Sequence, residues 1–467
     1  MNESWGAEQP LKKCIGWAAA AVCSFHLAYE VDLLRGLIVG FLFCLVPLAR
    51  LNSNRKVFYV GLGVGFAIYA PQLAFFWTIF QAGAIALWFV LAFWLALFVL
   101  LSRLAFLHFG RKGLVLLPIL WLGLEFFRSE LYYLRFSWLT PGYVFSGTRL
   151  AGALGFLGVY GIGGLAFAIA AAAWAWALKP RLAILASAIV ICGLAGTEPP
   201  PATHSAAARV QVAGVQLEFP DDAEVLTALN RLNQTHNNAE VFVLSEYTFK
   251  KSVPENILAW CRDHRKFLVV GGEDPASDDF FNTAFVIGPE GNIVFKQAKS
   301  VPIQFFKDGL PAREQRLWAS PWGKIGMAVC YDLSYRRVID RLVAQGCQAL
   351  IIPTMDVVDW GKRQHRLHAR VAPMRAAEFG LPIFRLCSSG ISQAIEGGGC
   401  VTATAPFPGE AASLSATLAL GKSGRVPLDH WLGPLAVGIT VLLIVVFIVK
   451  SRWGKTRPAA VSTSLAR

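Results

Sequence analysis

The stretch "KIGMAVCYDLSY" (Lys324–Tyr335) decides how the rest of the chain is read. Ile325, Met327 and Val329 alternate with smaller residues, the period-2 pattern of a buried strand. The strand runs out on a thiol, Cys330, just before a polar turn.

Outward from that point the pattern repeats. "VQVAGVQ" (210–216), "VFVLSE" (241–246), "FLVVGGED" (267–274) and "QALIIPT" (348–354) read as buried strands. Helical patterns fall near 222–236, in "NILAWCRDHR", over "YRRVIDRLVAQG" (335–346) and over "HRLHARVAPMRAAEFG" (365–380), the last two closed by glycine. "NTAFVIGPEGNIVFKQAK" (282–299) is a hairpin turning at Pro-Glu-Gly-Asn. "LPIFRLCSSG" and "GCVTATAP" are the final strands. Strands alternating with helices predict a layered α/β domain with its sheets buried between helices.

The flanks differ in kind. The chain has 467 residues, 55% hydrophobic and only 16% charged, too apolar for an ordinary soluble protein. A membrane helix needs roughly 20 apolar residues. Seven apolar runs precede the α/β part, near 14–29, 32–50, 57–78, 83–107, 113–129, 150–178 and 182–196. An eighth, "WLGPLAVGITVLLIVVFIVK" (431–450), follows it. The expected organisation is a membrane domain over 1–197 with about seven transmembrane helices, the α/β domain over 208–410 after the linker "TEPPPATHSAAA", and a closing helix over 431–450.

The net charge of +13 could suggest nucleic acid, but its placement points to membrane topology. Lys12, Lys13, Arg55, Lys56, Arg111, Lys112, Lys179, Arg181, Arg452, Lys455 and Arg457 all flank spans on one side. The positive-inside rule makes that side cytoplasmic and puts the α/β domain outside, in the periplasm of a two-membrane cell. Arg128, Arg135 and Arg149 fall on the outer side against the rule. They either meet lipid phosphate or pair with Glu125 and Glu130 as a loop staple. The first span lacks a clear cleavage site and reads as a retained anchor. Of nine cysteines, five lie in the α/β part, an odd number that leaves a thiol to explain.

Glu246, Lys299 and Cys330 each sit at or just beyond a strand end, where layered α/β folds project reactive groups. A thiol needs a base to deprotonate it and a cation to hold the thiolate and the oxyanion. On spacing alone the signal is weak: a lone strand-end cysteine is more often structural, and a lone strand-end glutamate or lysine is usually solvated.

The whole α/β part resembles the nitrilase, or carbon–nitrogen hydrolase, superfamily, from "VAGVQ" through "VLSE" and "IGMAVCYDLSY" to "RAAEFGLPIFRLCSSGISQAIEGGG". That resemblance implies an αββα sandwich and a Glu–Lys–Cys triad of Glu246 as base, Lys299 as cation and Cys330 as nucleophile. The backbone N–H of Tyr331 joins the lysine at the oxyanion, and Asp332 shapes the pocket behind the nucleophile. The membrane part, with "WLGLEFFRSELYYLRFSWLTPGY" (121–143) and "GFLGVYGIGGL", resembles the apolipoprotein N-acyltransferase family. This implies a multi-pass enzyme of the cytoplasmic (inner) membrane. It would move a phospholipid acyl chain through a cysteine thioester to the amine of a diacylglyceryl-cysteine lipoprotein. Glu125, Arg128 and Tyr143 in the same stretch become candidate pocket or supporting residues, as do Trp360 and His365. The alternatives are a membrane-tethered nitrilase-type amidohydrolase and an acyltransferase with another amine acceptor. No metal, cofactor or nucleic acid is implied.

The sequence departs from the family pattern in places. Lys296 and Lys299 both suit the lysine position; Lys299 begins the loop and is preferred. Where the family has "PFGE", this chain has "PIQFFKDG" (302–309), with no glutamate in that place; Gln304 or Asp308 would have to substitute, and a neutral amide cannot act as a base. "FSW" replaces "FPW". His365 and His368 lack a third ligand for a metal. "CSSG" reads as pocket wall, and Trp77, Phe80 and Trp138 as membrane-interface anchors.

Overall fold

A computed structural model describes residues 10–176, 178–194, 199, 208–409 and 411–453. The linker, apart from its first proline and last alanine, and the flanking Lys455 and Arg457 lie outside the described residues. The first third of the chain is helical: α1 (Leu11–Glu30), α2 (Leu37–Leu48), α3 (Asn54–Gln72), α4 (Phe75–Phe80), α5 (Gly83–Phe109), α6 (Leu117–Phe126), α7 (Arg149–Leu154), α8 (Gly158–Trp174) and α9 (Leu178–Leu194). Among the described residues, three stretches are long and apolar enough to cross a membrane: Gly83–Leu131, Arg149–Trp174 and Asp429–Ser451. Close packing explains one helix pair. A Cβ on Gly61 or Gly65 would come within 2.8 or 2.7 Å of Ala96 or Ala92 Cα, so these small residues let α3 lie directly on α5.

Two apolar runs break where the sequence reading has one span. The 57–78 run stops at Gln72 and restarts as the short α4. The 150–178 run divides at Gly158, whose φ of +79° interrupts the helix between α7 and α8.

The second part holds β1 (Ala208–Val215), α10 (Asp222–Thr235), β2 (Val241–Val243), α11 (Glu255–His264), β3 (Phe267–Pro275), β4 (Phe280–Ile287), β5 (Ile293–Ala298), β6 (Leu317–Ser320) and β7 (Gly323–Met327). It continues with α12 (Arg336–Ala344), β8 (Ala349–Thr354), α13 (Gly361–Ala369), α14 (Val371–Phe379), β9 (Ile383–Cys387), β10 (Ser392–Ile395), β11 (Val401–Ala405) and β12 (Ser413–Leu420), before α15 (Asp429–Trp453). Two six-stranded sheets form, in the orders β12-β1-β2-β3-β4-β5 and β11-β10-β9-β8-β7-β6. Their central strands are parallel, and β2 and β8 are buried at every position, as strands covered on both faces must be. Helices α10 and α11 cover the first sheet through Leu229, Leu232, Ile257 and Trp260. A capping box between Asp221 and Glu224 starts α10. This is a nitrilase-like αββα sandwich joined to a helical membrane domain.

Three strands are absent from the sequence reading: β6, β10 and β12. β12 is "SLSATLAL", weak in β propensity, and owes its conformation to β1, with which it pairs from Ala208–Leu420 to Val215–Ser413. The long 365–380 helix is two helices meeting at Arg370. Pro373 cannot donate to the carbonyl of Ala369, so the ladder breaks there.

Candidate active site

Glu246 comes from the first sheet. The strand reading carries to Glu246, but β2 ends at Val243 and the glutamate lies in the turn beyond. Gly271 of β3 permits that turn: a Cβ there would sit 2.5 Å from Glu246 Cα. The Gly271 N–H donates to Ser245 O at 3.1 Å. Glu246 is buried, and its Oε1 accepts from Asn282 Nδ2 (2.6 Å) and Lys299 Nζ (2.9 Å). Its Oε2 accepts from the Met355 N–H at 2.7 Å, which links it to the end of β8 in the other sheet.

Lys299 follows β5 and is 1% exposed. Its Nζ also lies 2.8 Å from Asp308 Oδ2. Burial opposes its charge, but Glu246 and Asp308 together hold its pKa well above the ordinary lysine value. Lys296, by contrast, points to solvent and pairs with Asp274 at 2.9 Å. Asp308 accepts further bonds from Tyr247 OH (2.6 Å), Asn282 Nδ2 (2.9 Å) and the Ile303 N–H (2.7 Å). Burial would raise its pKa; the Lys299 ammonium outweighs that and lowers it. Gln304 points elsewhere, donating to Tyr133 O at 3.1 Å.

Cys330 comes from the second sheet, just past β7, at φ +50°. That region costs a non-glycine residue about 1–3 kcal/mol and is held only by firm surroundings. Asp332 supplies part of the hold. Its carboxylate accepts from the N–H groups of Val329 (3.2 Å), Ser300 (3.0 Å) and Val301 (2.7 Å), joining the Cys330 turn to the Lys299 loop. Burial, partly offset by these bonds, pushes Asp332 up to about 6. Arg375 braces the same turn, donating to Leu333 O (3.0 Å) and Ser334 O (2.7 Å), and pairs with Glu378 at 2.6 Å. Glu378 in turn accepts from the Val159 N–H of the membrane domain. The sequence reading quoted "RAAEF" without giving Arg375 or Glu378 a task. Cys330 is a free, buried thiol. The Cys330 S–H donates to Met355 O at 3.6 Å. Burial first, then the Glu246 carboxylate, raise this thiol well above its usual range, against the lowering by Lys299.

The remaining candidates divide. Tyr331 and Trp360 line an apolar groove of about 770 Å³, counting the space at its mouth, with Phe76, Phe80, Phe136 and Phe306. Its walls come from α4, α5 and the lysine loop, so it lies where membrane and catalytic domains meet. Phe305 and Phe306 are exposed at the loop and meet the Phe80 ring at 6.1 and 5.7 Å. His365 is buried and stacks on Phe407 at 3.9 Å. Trp77 is half-exposed, but Trp138, expected at the membrane interface, is buried. It donates to Ser334 Oγ at 2.8 Å and stacks on His368 at 4.6 Å, because it packs behind the Cys330 turn. Arg128 is buried and pairs with Glu125 at 2.8 Å while donating to Phe136 O at 3.0 Å, which is the staple arrangement. Tyr143 is buried beneath Arg375, 5.8 Å from its ring centroid. Among the described residues no hydrogen bond or ion pair joins Glu125, Arg128 or Tyr143 to Glu246, Lys299 or Cys330.

The chain matches the carbon-nitrogen hydrolase family over residues 197–411 and the apolipoprotein N-acyltransferase N-terminal domain over residues 18–194. It is 24% identical over 450 residues to an apolipoprotein N-acyltransferase of Shewanella oneidensis, covering 80% of this chain and 85% of that one. The counterpart of that name from Methylococcus capsulatus is 23% identical over 383 residues, 73% of this chain and 75% of that one. An omega-amidase of Xenopus laevis is 30% identical over 97 residues, 18% of this chain and 35% of that one. Among solved structures, an amidase from Nesterenkonia sp. aligns with a TM-score of 0.39 at 17% identity, over 47% of this chain and 93% of that one. With two successive matches filling 18–194 and 197–411, and relatives of one name over most of its length, the chain belongs to the apolipoprotein N-acyltransferase family, the membrane N-acyltransferases of the nitrilase superfamily.

Proposed function

We propose that the protein transfers an acyl chain from a phospholipid to the α-amino group of a diacylglyceryl-cysteine lipoprotein, with Glu246, Lys299 and Cys330 as the catalytic triad. The observation that carries this is the juxtaposition of a buried Glu–Lys–Cys cluster with an apolar groove walled by membrane helices. In the first step Glu246 takes the thiol proton and the thiolate attacks the ester carbonyl. Lys299 and the Tyr331 N–H hold the oxyanion. Collapse forms the thioester and expels the lysophospholipid alcohol, which takes its proton from Glu246. In the second step the lipoprotein amine attacks the thioester and Glu246 accepts the amine proton. Collapse then forms the amide and releases the Cys330 thiolate, which Glu246 reprotonates. The raised thiol pKa supports a base acting at the moment of attack rather than a standing thiolate. Asp308 supports the reading by giving Lys299 a second carboxylate partner, in the loop where the "PFGE" glutamate is absent. The one-sided basic flanks favour the inner membrane with the catalytic domain on the periplasmic side.

The test uses the full chain in nanodiscs containing phospholipid, with a synthetic diacylated lipopeptide as acceptor. The expected product is N-acylated lipopeptide plus one equivalent of lysophospholipid. Release of free fatty acid with unmodified lipopeptide would put an amidohydrolase-like reaction in its place.

A further inference from the structure

Beside the C-terminal end of α1 lies a second cavity, of about 1750 Å³ counting the space at its mouth, distinct from the apolar groove. Arg35, Arg149, Arg363, Arg366 and Arg370 line it, against the carboxylates of Glu30 and Asp32. Glu30 pairs with Arg363, and Asp32 with Arg35 at 2.7 Å. Five guanidinium groups from three separate parts of the chain therefore converge on two acids that are already engaged.

Local sequence builds this face. Arg363, Arg366 and Arg370 recur at i, i+3 and i+7, which sets them along one side of α13 and its end. Gln364, next to Arg363, faces the apolar groove instead. Arg370 donates Nη2 to Tyr29 O at 2.8 Å, but its Nη1 is buried and meets no acceptor. Arg363 Nη2 is in the same condition. Buried guanidinium N–H groups without acceptors are unfavourable. Like charges at this spacing also repel. Burial first, then Arg370 and Arg366, push Arg363 down to about 10. An anion would relieve both conditions, and a phosphate's oxygens match the guanidinium fork in a bidentate way.

We propose that this cleft is a binding site for a phosphate group, carried by a lipid headgroup at the outer membrane surface or by the free anion. Neither Glu246, Lys299 nor Cys330 lines it, and it does not depend on the acyl-transfer reading. The test uses the full chain in detergent, stripped of lipid. Native mass spectrometry follows retention of added phosphatidylglycerol, and calorimetry follows inorganic phosphate. Wild type is expected to retain the lipid and lose it to inorganic phosphate. The double variant Arg366→Gln/Arg370→Gln should bind either ligand about tenfold more weakly. Inorganic phosphate bound by wild type but not by the variant, with no lipid retained, supports the site with the free anion as occupant. Arg366 is exposed, so Arg366→Gln alone preserves packing and decides the matter if the double variant does not fold. Lipid and phosphate affinities unchanged in Arg366→Gln and the folded double variant, or no binding of either ligand by wild type, overturn the proposal.

Discussion

Two short segments each bring an aspartate to the Glu246–Lys299–Cys330 cluster, and they do so in different ways. The turn after Cys330 is local and rigid: Asp332 sits two residues from the thiol and gathers three backbone N–H groups. The loop after Lys299 is longer and open. Asp308 returns to the lysine across "SVPIQFFKD", while Phe305 and Phe306 in the middle reach α4. One segment fixes the backbone at Cys330. The other fixes the lysine's charge and at the same time builds the mouth of the apolar groove. The site is thus rigid on the thiol side and coupled to the membrane on the lysine side.

Substitutions break this comparison in order of severity. Cys330→Ala removes the covalent route, and acyl transfer should fall by about a thousandfold or more, measured as lysophospholipid release. Asp308→Asn leaves Lys299 with one carboxylate in place of two. Misplacing its ammonium should lower turnover by about a hundredfold, with donor KM nearly unchanged. Asp332→Asn sharpens the contrast through pH. With its carboxyl raised to about 6, wild-type Asp332 gains a proton as pH falls through that value, and the charge that anchors Ser300 and Val301 is lost. Wild-type turnover should therefore decline below about pH 6. The asparagine variant should run at a lower plateau without that limb. The smallest effect is expected for Phe305→Ser/Phe306→Ser. It should raise KM for a long-chain phospholipid about fivefold and leave turnover of a short-chain soluble ester unchanged.

The same comparison explains what the sequence could reveal. The nucleophile side is written in consecutive residues, a strand of alternating apolar positions ending in Cys-Tyr-Asp, so both its structure and its chemistry can be read locally. The lysine side is not. Choosing Asp308 over Gln304 requires knowing that the chain doubles back, which no periodicity encodes. Arg375 and Glu378 stayed silent for a related reason: on a buried helix they look like ordinary charges until Leu333, Ser334 and Val159 supply their partners. β12 depends on β1, some two hundred residues away, and its alanines and serines carry little preference of their own. The arginine cleft collects residues from α1's end, α7 and α13, a set that only tertiary structure assembles.

The central claim is that Cys330 carries the acyl group between a lipid and an amine. Intact-mass spectrometry of the full chain after incubation with an isotopically labelled phospholipid tests it directly. The account predicts one labelled acyl adduct, mapped to Cys330 and absent from Cys330→Ala. A diacylated lipopeptide with a free amine should discharge it, and the same peptide with its amine acetylated should not. An adduct on another residue, or discharge that ignores the amine, contradicts the account.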